Sequence, residues 1–417
     1  MGPKKPPQNR QSTSKPQGKK SDPKRKTAPS APRRLLADQQ QTAAEKKSSS
    51  KEEEYEIDLA EATASIPVSL QQLLLNVFKT ALLPDTESND NDLHTQIQTL
   101  KAHLYNRDFV SAFADASPEL LRAYALRWSA SRCLSYVGIF KGVVPAAISD
   151  QSRDRDESDS SQTRKALHVL CIGGGAGAEI VALAGVWRAF FDEHATQTDE
   201  AVEKGMDKLS LTAKDAKLSI TAVDVAEWSN VVDSLHNTIY SKTVPSHRTC
   251  PSPLLEDSST VDISFRHLDV LSLSEPDFAS LLSRPPKTNL LISLMFTLNE
   301  LFSTSIPKAT QLLLRITDEA DPGTILLIVD SPGSYSTLSL GGSNDKQRQY
   351  PMKFLLEHTL LTVAQGKWEK VLSQDSRWFR REGSKLTYSV NLEGGDGLVK
   401  LEDMRYQIHV YRRLPEK

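Results

Sequence analysis

The apolar residues of the chain follow two different spacings, and each spacing predicts a different kind of secondary structure. Between residues 66 and 140 they recur every three or four positions, which is the spacing of amphipathic helices. A first helix is predicted at 70–82, and two more are predicted at 93–113 and 118–140. We therefore interpret residues 66–149 as a helical N-terminal segment.

Beyond residue 165 the pattern changes to short apolar runs that are separated by stretches of helical spacing. Such runs are typical of buried strands in βαβ units, so they predict a doubly wound, mostly parallel sheet. The last runs follow one another without long helices between them, which predicts an antiparallel edge at the C-terminal end. The predicted parallel strands are 167–172, 218–223, 263–268, 289–296 and 324–329, and the predicted antiparallel strands are 368–374, 386–392 and 405–412.

Composition adds the boundaries of the remaining parts. Residues 1–65 are rich in Lys, Pro, Ser and Gln and poor in apolar residues, which predicts a disordered tail. Residues 150–165 are charged and polar and are predicted to be a linker. The α/β domain is then expected at 166–417, with two polar surface insertions at about 196–216 and 241–261.

The charge of the chain is unevenly distributed. The formal net charge is -2, but residues 1–51 hold about 14 basic and about 3 acidic residues, so the tail is strongly basic and the body is acidic. Two clusters, Lys19-Lys20 and Lys24-Arg25-Lys26, indicate a nuclear address or a phosphate-binding arm. We therefore expect a nuclear or nucleolar protein, with the cytoplasm as a further location, and the alternative for the tail is a solubilising segment without a partner.

Several classes of protein are disfavoured. No apolar run is long enough to span a membrane, and no apolar stretch follows the N-terminal lysines as in a secretory signal. The three cysteines are widely spaced and offer neither a disulfide framework nor a metal-binding pair. No cluster of His, Cys and Asp has the spacing of metal ligands, so no metal site is expected.

The strongest local signal is a glycine loop that joins the first predicted strand to a helix. Its glycines, Gly173, Gly175 and Gly177, allow the backbone to approach a ligand, and the helix N-terminus favours an electron-rich group. The spacing GxGxG differs from the GxGxxG of dinucleotide-binding proteins. It resembles the first motif of class I methyltransferases, which implies a Rossmann-like fold and S-adenosylmethionine as cofactor. Cys171 stands where those enzymes often have an acid.

Two acids at strand ends are the next candidates for cofactor binding. Asp224 ends the second strand, where a carboxylate can accept hydrogen bonds from both ribose hydroxyls. Asp269 follows the third strand, and the same resemblance implies a contact with the adenine amino group. The alternative for Asp224 is an exposed turn, and for Asp269 it is a turn or a helix cap.

The substrate side is expected at the ends of the fourth and fifth strands. Asn299, Glu300 and Asp330 fall there and are the candidate catalytic residues, although either acid could only organise loops. The fourth strand is not followed by the Asp/Asn-Pro-Pro-Tyr/Phe segment used against base amines, which disfavours adenine N6. Cys250, in a polar insertion, is more typical of a loop residue than of the nucleophile of pyrimidine C5 methylation.

Together these segments resemble one family, the fungal 25S (large-subunit) ribosomal RNA uridine-N3 methyltransferases. The resemblance implies methyl transfer to N3 of an unpaired or flipped uridine in ribosomal RNA or a pre-ribosome, with Glu300 or Asp330 at the uracil edge. Trp128, Tyr335 or Trp378 could stack on the base, with core packing as the alternative. The carrying segments are Arg127–Ser129 with Arg132, Cys171–Glu179, Asp224–Trp228, Phe296–Phe302, Asp330–Tyr335, Asp375–Phe379 and Met404–Tyr406.

Two other functions stay open at this point. The acidic body is compatible with a methyltransferase that acts on a protein or a small molecule. The missing acid at Cys171 is compatible with a non-catalytic ribosome-assembly factor that keeps the fold. The sequence does not predict the oligomeric state.

Overall fold

A computed structural model describes most of the chain from residue 57 onward. The predicted tail up to residue 56 and the predicted linker at 150–165 lie outside the described residues. The described residues are 57–83, 90–148, 166–204, 217–256, 258–333, 335–339, 347–381, 385–388, 390 and 401–416.

The helical segment begins earlier than the sequence predicts. The predicted tail is wrong for residues 57–65, which the structure describes as part of the helical segment. The Asp58 side chain caps a short helix there by accepting the backbone N–H groups of Ala60 and Glu61. Leu59 is buried against the helices that follow. The helices are α1 Leu59–Ala64, α2 Val68–Leu82, α3 Asp90–Tyr105, α4 Pro118–Tyr124 and α5 Ala130–Ile148, with π-helical turns at Val110–Ala114 and Ala125–Ser129.

The centre of the structure is a seven-stranded sheet with the order β3-β2-β1-β4-β5-β9-β8. The first five strands are parallel, β9 is antiparallel to β5, and β8 is antiparallel to β9, which confirms the predicted mostly parallel sheet with its antiparallel C-terminal edge. The strands are β1 Ala166–Ile172, β2 Lys217–Asp224, β3 Val261–His267, β4 Thr288–Met295, β5 Ile325–Asp330, β8 Trp368–Phe379 and β9 Met404–Arg413.

Two features near the C-terminus differ from the prediction. Strands β6 Tyr335–Ser339 and β7 Gln347–Pro351 form a separate antiparallel pair. The predicted strand at 386–392 is wrong for the residues described there, 386–388 and 390, which belong to no strand. Their alternating apolar side chains pack against the helical segment, where the Tyr388 hydroxyl donates to the carbonyl of Leu126 at 2.8 Å.

Helices cover both faces of the sheet and form two hydrophobic cores. The helices after the segment are α6 Ala178–Lys204, α7 Ser229–Ile239, α8 Glu275–Leu282, α9 Leu298–Thr304, α10 Ile306–Glu319 and α11 Met352–Glu357, and a π-helical turn, His358–Val363, follows α11. One face of the sheet packs against α2, α5, α6 and α7, and the other face packs against α8 to α11.

The helical segment shares the core of the α/β part. Leu74 of α2 is fully buried, and a Cβ atom placed on Gly185 of α6 would lie 2.8 Å from its Cδ2 atom, so the two helices meet closely. Helix α5 also packs on α6 and on β4. Strand β1 pairs with both β2 and β4, so the chain direction of the crossovers reverses there. Ligands of such sheets bind at this switch point, beyond the carboxyl ends of the strands.

Candidate functional site

A cavity of about 260 Å³ lies at this switch point, beyond the ends of β1, β2 and β4. One wall comes from the strand ends and the loops after them, and the other comes from the helical segment. The first wall includes Gly173, Asp224, Asp269, Phe296 and Glu300, and the second includes Phe109, Phe113, Tyr124, Arg132 and Tyr136.

The glycine loop needs glycine for two different reasons. Gly173 and Gly177 have φ angles of +80° and +82°, a region that strains other residues. Gly175 needs glycine because a Cβ atom there would lie 2.1 Å from the indole of Trp228. Of the three glycines predicted to bind the cofactor, only Gly173 lines the cavity, because Trp228 lies against Gly175 and Leu235 lies against Gly177.

Asp224 is held at the mouth of the loop by backbone groups. Its Oδ2 atom accepts the N–H of Gly175 at 3.2 Å, and its Oδ1 atom accepts the N–H of Ala226 at 3.1 Å. Burial raises the pKa of this carboxyl, and the backbone N–H groups oppose that rise. Asp224 therefore joins the second strand end to the glycine loop, and it lines the cavity as the prediction requires.

Asp269 also lines the cavity, but its two oxygens are engaged in a turn. Its Oδ1 atom accepts the N–H of Leu271 at 3.0 Å, and the Ser272 hydroxyl donates to Oδ2 at 2.6 Å. The side chain is exposed. These bonds are those of a turn-forming aspartate, as the alternative describes, and adenine binding by this residue stays a prediction.

The candidate catalytic residues separate into one cavity residue and two supporting residues. Glu300, in the first turn of α9, lines the cavity, and burial raises its pKa to about 8. Asp330 lies outside the lining and is buried; it accepts the N–H of Asn299 at 2.9 Å and the N–H of Ser331 at 2.7 Å. Burial raises the pKa of Asp330 to about 6. Asp330 thus fixes the start of α9, and with it the position of Glu300.

Two further cavity residues were not predicted from the sequence. Glu179, in the first turn of α6, is buried, and burial raises its pKa to about 8. Arg132 of α5 donates to the Tyr124 hydroxyl at 2.7 Å, and its guanidinium lies 5.0 Å from the centre of the Phe296 ring. The position of Glu179 directly after the glycine loop was an available signal. Nothing in the helical pattern indicates that Arg132 faces a cavity.

The cavity is rich in acids, with one arginine among them. Glu179, Asp224 and Glu300 line it together with Arg132. A bound cation would favour the charged forms of these carboxyls, whose pKa values burial raises. The site therefore suits a ligand with positively charged groups that face these carboxyls and a carboxylate near Arg132.

The described lining of the cavity contains no cysteine and no group of metal ligands. Cys171 and Cys250 are buried, burial raises the pKa of both thiols, and neither lines the cavity. In the described ranges, no group of three or more His, Cys, Asp or Glu side chains could hold a metal ion. None of the described helices combines the length and the apolar composition that a membrane span requires.

Comparisons with known proteins identify the class. Residues 78–412 match the model of a family described as "Putative SAM-dependent methyltransferase", where SAM is S-adenosylmethionine. The chain belongs to this family, so it is a methyltransferase that uses S-adenosylmethionine as its cofactor.

One relative of known activity is consistent with this class. The chain is 33% identical over 337 residues, 77% of its length and 82% of the relative, to the 25S rRNA (uridine(2843)-N(3))-methyltransferase of Saccharomyces cerevisiae. This relative confirms the resemblance seen in the sequence segments. A solved S-adenosylmethionine-dependent methyltransferase from Clostridium acetobutylicum is 9% identical, with 76% of this chain and 100% of that chain covered and a TM-score of 0.30. An O-methyltransferase family 2 protein from Planctomyces limnophilus is 12% identical, with coverages of 72% and 62% and a TM-score of 0.34.

The residues of the cavity fit the cofactor of this family. S-adenosylmethionine carries a sulfonium and an ammonium group, which suit the carboxyls of Glu179, Asp224 and Glu300. Its carboxylate suits Arg132, because a guanidinium binds planar carboxylates well. Gly173 provides the close backbone approach that the loop needs. These residues therefore form the candidate cofactor site.

Proposed function

We propose that the chain methylates N3 of a uridine in large-subunit ribosomal RNA. The observation that carries the proposal is Glu300, a cavity acid whose pKa is raised to about 8 by burial and which is held in place through Asp330. The similarity to the yeast 25S rRNA enzyme supports the choice of substrate. The absence of a cysteine from the cavity lining fits N3 chemistry, which needs no covalent attachment to the base.

The cofactor is proposed to lie between the strand ends and the helical segment. It supplies an electrophilic methyl group. Asp224 would accept hydrogen bonds from its ribose hydroxyls, and Arg132 would bind its carboxylate. Glu179 and Glu300 would face its positive charges, and their ionisation would be favoured by them.

Glu300 is proposed to be the general base. The N3–H group of uracil is weakly acidic, and the Glu300 carboxylate would accept that proton as N3 forms its bond to the methyl group. A base is most effective when its pKa lies near the working pH, and the value of about 8 for Glu300 satisfies this. Arg132 and the cationic cofactor would keep a useful fraction of Glu300 ionised at neutral pH.

N3 lies on the Watson–Crick edge of uracil, so the target must be unpaired or extruded from its helix. The cavity offers flat side chains for such a base, since Phe113, Tyr124 and Phe296 are all in its walls. Aromatic faces stack on unpaired RNA bases. The helical segment is therefore proposed to hold the base as well as the cofactor.

Ribosome biogenesis is proposed as the process, and the nucleus or nucleolus as the place. The basic clusters Lys19-Lys20 and Lys24-Arg25-Lys26 support an interaction with RNA or a nuclear address. A fluorescent fusion of the full chain, compared with one in which these five residues are glutamine, tests the location. Nuclear accumulation that is lost in the variant supports the proposal, and an equal distribution of both fusions contradicts it.

The decisive experiment is methylation of ribosomal RNA by the purified full chain. Large-subunit ribosomal RNA is incubated with S-adenosylmethionine that carries an isotopically labelled methyl group, and its nucleosides are analysed by mass spectrometry. Labelled 3-methyluridine is expected with the wild type and is expected to fall sharply with Glu300→Gln. A matched control is Glu275→Gln, which changes an exposed acid of α8.

Other results would redirect the assignment. Label that enters protein or small molecules but no RNA would replace the ribosomal RNA proposal with the protein or small-molecule alternative. Cofactor binding without transfer to any fraction would favour the assembly factor. Labelled methyl on a nucleoside other than 3-methyluridine would contradict the N3 assignment while keeping RNA as the substrate.

A further inference from the structure

We propose that Trp378, Arg380 and Arg405 form a platform that binds the single-stranded RNA next to the target uridine. We call these three residues the tryptophan–arginine platform. The inference rests on the proposed function, because it assumes an RNA substrate. It adds a second contact site, separate from the cavity, and assigns it to the chain's C-terminal sheet edge.

Trp378 differs from the other tryptophans in its exposure. The chain has five tryptophans, all within the described residues, and Trp378 is the exposed one, with 52% of its surface accessible. Trp187, Trp228 and Trp368 are buried in the cores. An exposed indole offers a large flat apolar surface that a partner can cover.

Two guanidinium groups lie against this indole. The Cζ atom of Arg380 is 5.4 Å and that of Arg405 is 5.8 Å from the ring centre. Arg405 also donates to the Ser376 hydroxyl at 3.0 Å, which orients it. These contacts place both cations beside the indole, so a base that stacks on Trp378 would have its phosphates near Arg380 and Arg405.

The two arginines have no acidic partner among the described residues. Their neighbours are different, since Arg381 pairs with Asp403 at 3.5 Å and Arg127 pairs with Glu402. Arg381 and Arg127 are therefore paired with carboxylates, whereas the arginines of the platform have no carboxylate partner in the described part of the structure. A polyanion supplies the charge that these two arginines lack.

The platform lies at the same edge of the sheet as the cavity. Trp378 pairs with Arg405 across β8 and β9, and two residues further along β9, Gln407 pairs with Asp330 of β5. Asp330 accepts the N–H of Asn299, the residue before Glu300. Three strand spacings separate β4 from β8, which is about 14 Å. At a rise of about 3.4 Å per nucleotide in a stacked strand, that distance corresponds to about four nucleotides.

Single-stranded RNA is the partner that this chemistry fits. Aromatic side chains bind bases through their faces, and arginines follow the backbone phosphates. A uridine drawn into the cavity would leave its neighbours unstacked, and Trp378 would offer one of them a stacking surface. An acidic protein segment could pair with the arginines, but the flat indole beside them would add little to its binding.

The test measures RNA binding, methylation and cofactor binding on the full chain. The probe is a fluorescein-labelled 12-nucleotide oligouridylate, and its binding is followed by anisotropy. Trp378→Ala is expected to weaken binding about 10-fold, and Trp378→Phe is expected to keep most of it, because a phenyl ring also stacks. Tyr105→Ala removes another exposed aromatic residue, at the end of α3 and outside the platform, and is the matched control that leaves binding unchanged.

Two further measurements separate recognition from stability. Trp378→Ala is expected to raise KM for ribosomal RNA and to leave both kcat and the Kd of S-adenosylmethionine within about twofold of the wild type. The double variant Arg380→Gln/Arg405→Gln is expected to weaken the salt dependence of oligouridylate binding, since two phosphate contacts are lost. A Trp378→Ala protein with wild-type RNA affinity, or a double variant with an unchanged salt dependence, overturns the platform.

The failure of the platform and the failure of the proposed function are distinguishable. Wild-type protein that methylates ribosomal RNA while Trp378→Ala binds and reacts equally well overturns the platform alone. Wild-type protein that binds the oligouridylate through Trp378 but forms no 3-methyluridine overturns the proposed activity and supports the platform. Binding of an acidic peptide, poly-glutamate, that competes fully with the oligouridylate and is insensitive to Trp378→Ala overturns the RNA assignment.

Discussion

The cavity and the tryptophan–arginine platform lie at the same edge of one sheet, yet their environments are opposite. The cavity is acidic, with Glu179 buried and Glu300 half-buried in its lining. The platform is open and basic, with Trp378 exposed and two guanidiniums beside it. The difference suits two kinds of ligand, because a small cation needs buried carboxylates and a polyanion needs solvated arginines.

The sheet itself explains the contrast. Strands β1, β2 and β4 have neighbours on both sides and helices on both faces, so polar groups at their ends are withdrawn from water. Strand β8 has only β9 beside it, and near its end the Trp378 side chain is exposed although that of Phe379 is buried. Burial raises the pKa of an acid in the first environment, whereas an arginine in the second keeps its full hydration.

The largest expected effect is that of Glu300→Gln on catalysis. Loss of a general base lowers rates by about 10²–10⁴-fold, so single-turnover methylation of ribosomal RNA is expected to slow by at least the lower value. Oligouridylate affinity is expected to be unchanged, because the platform is untouched. A rate within a factor of three of the wild type would remove Glu300 from the chemistry and weaken the contrast between the two regions.

The next effect is that of Arg132→Met on cofactor binding. Removing one partner of a shielded charged contact costs about 2–5 kcal/mol, so the Kd of S-adenosylmethionine by calorimetry is expected to rise about 100-fold. Arg132→Lys is expected to recover part of the affinity, because the charge is kept and the bidentate geometry is lost. An unchanged Kd in Arg132→Met would show that the cofactor carboxylate binds elsewhere.

The pH dependence of stability follows from the buried acids. Glu179 and Glu300 have an ordinary pKa of 4.5, and burial raises it to about 8 in the folded protein. The folded state therefore binds more protons than the unfolded state between these values, and the free energy of unfolding falls as pH rises from about 4.5 to about 8. The slope per carboxyl is on the order of 1 kcal/mol per pH unit.

Urea unfolding of the cofactor-free protein at pH 5, 6.5 and 8 measures this slope. Glu300→Gln is expected to flatten it, because the amide does not titrate, whereas Arg380→Gln on the platform is expected to leave it unchanged. Equal slopes for wild type and Glu300→Gln would mean that Glu300 is solvated, and the contrast in burial would then be smaller than the structure indicates.

The smallest expected effect distinguishes the two strand-end aspartates. Asp269→Asn is expected to change the Kd of S-adenosylmethionine by less than about threefold, because both oxygens serve a turn that asparagine also forms. Asp224→Asn, in the same assay, is expected to weaken binding by tenfold or more, since its carboxylate joins the loop to β2. Equal effects would restore Asp269 as a cofactor ligand.

The sheet could be predicted from the sequence because its strands are short runs of apolar residues bounded by polar ones. Its antiparallel edge followed from the lack of long helices between the last predicted strands. The same reasoning failed at 386–392, because an alternating pattern also fits an extended segment that packs on helices, as Tyr388 does against Leu126. Periodicity shows which side chains are buried but leaves their partners unknown.

The candidate site was predictable on one wall and not on the other. Gly173, Asp224 and Glu300 follow strands, and strand ends of a doubly wound sheet converge at one edge. Arg132 and Tyr124 belong to a helical segment whose place on the sheet depends on tertiary packing. Glu179 directly follows the glycine loop, but an acid in the first turn of a helix also interacts favourably with the helix dipole, so its position alone does not indicate a cavity residue.

The two-walled cavity also constrains the order in which the protein can be made. Helices α2 and α5 leave the ribosome first, but the strand that completes their site, β4, ends at Met295. About 150 residues must be synthesised in between, which takes roughly 7–30 s at ordinary translation rates. During that interval the sheet lacks its central strand β4, so the core that covers α2 and α5 is incomplete. A nascent chain of this protein is therefore expected to expose apolar surface until its fourth strand emerges.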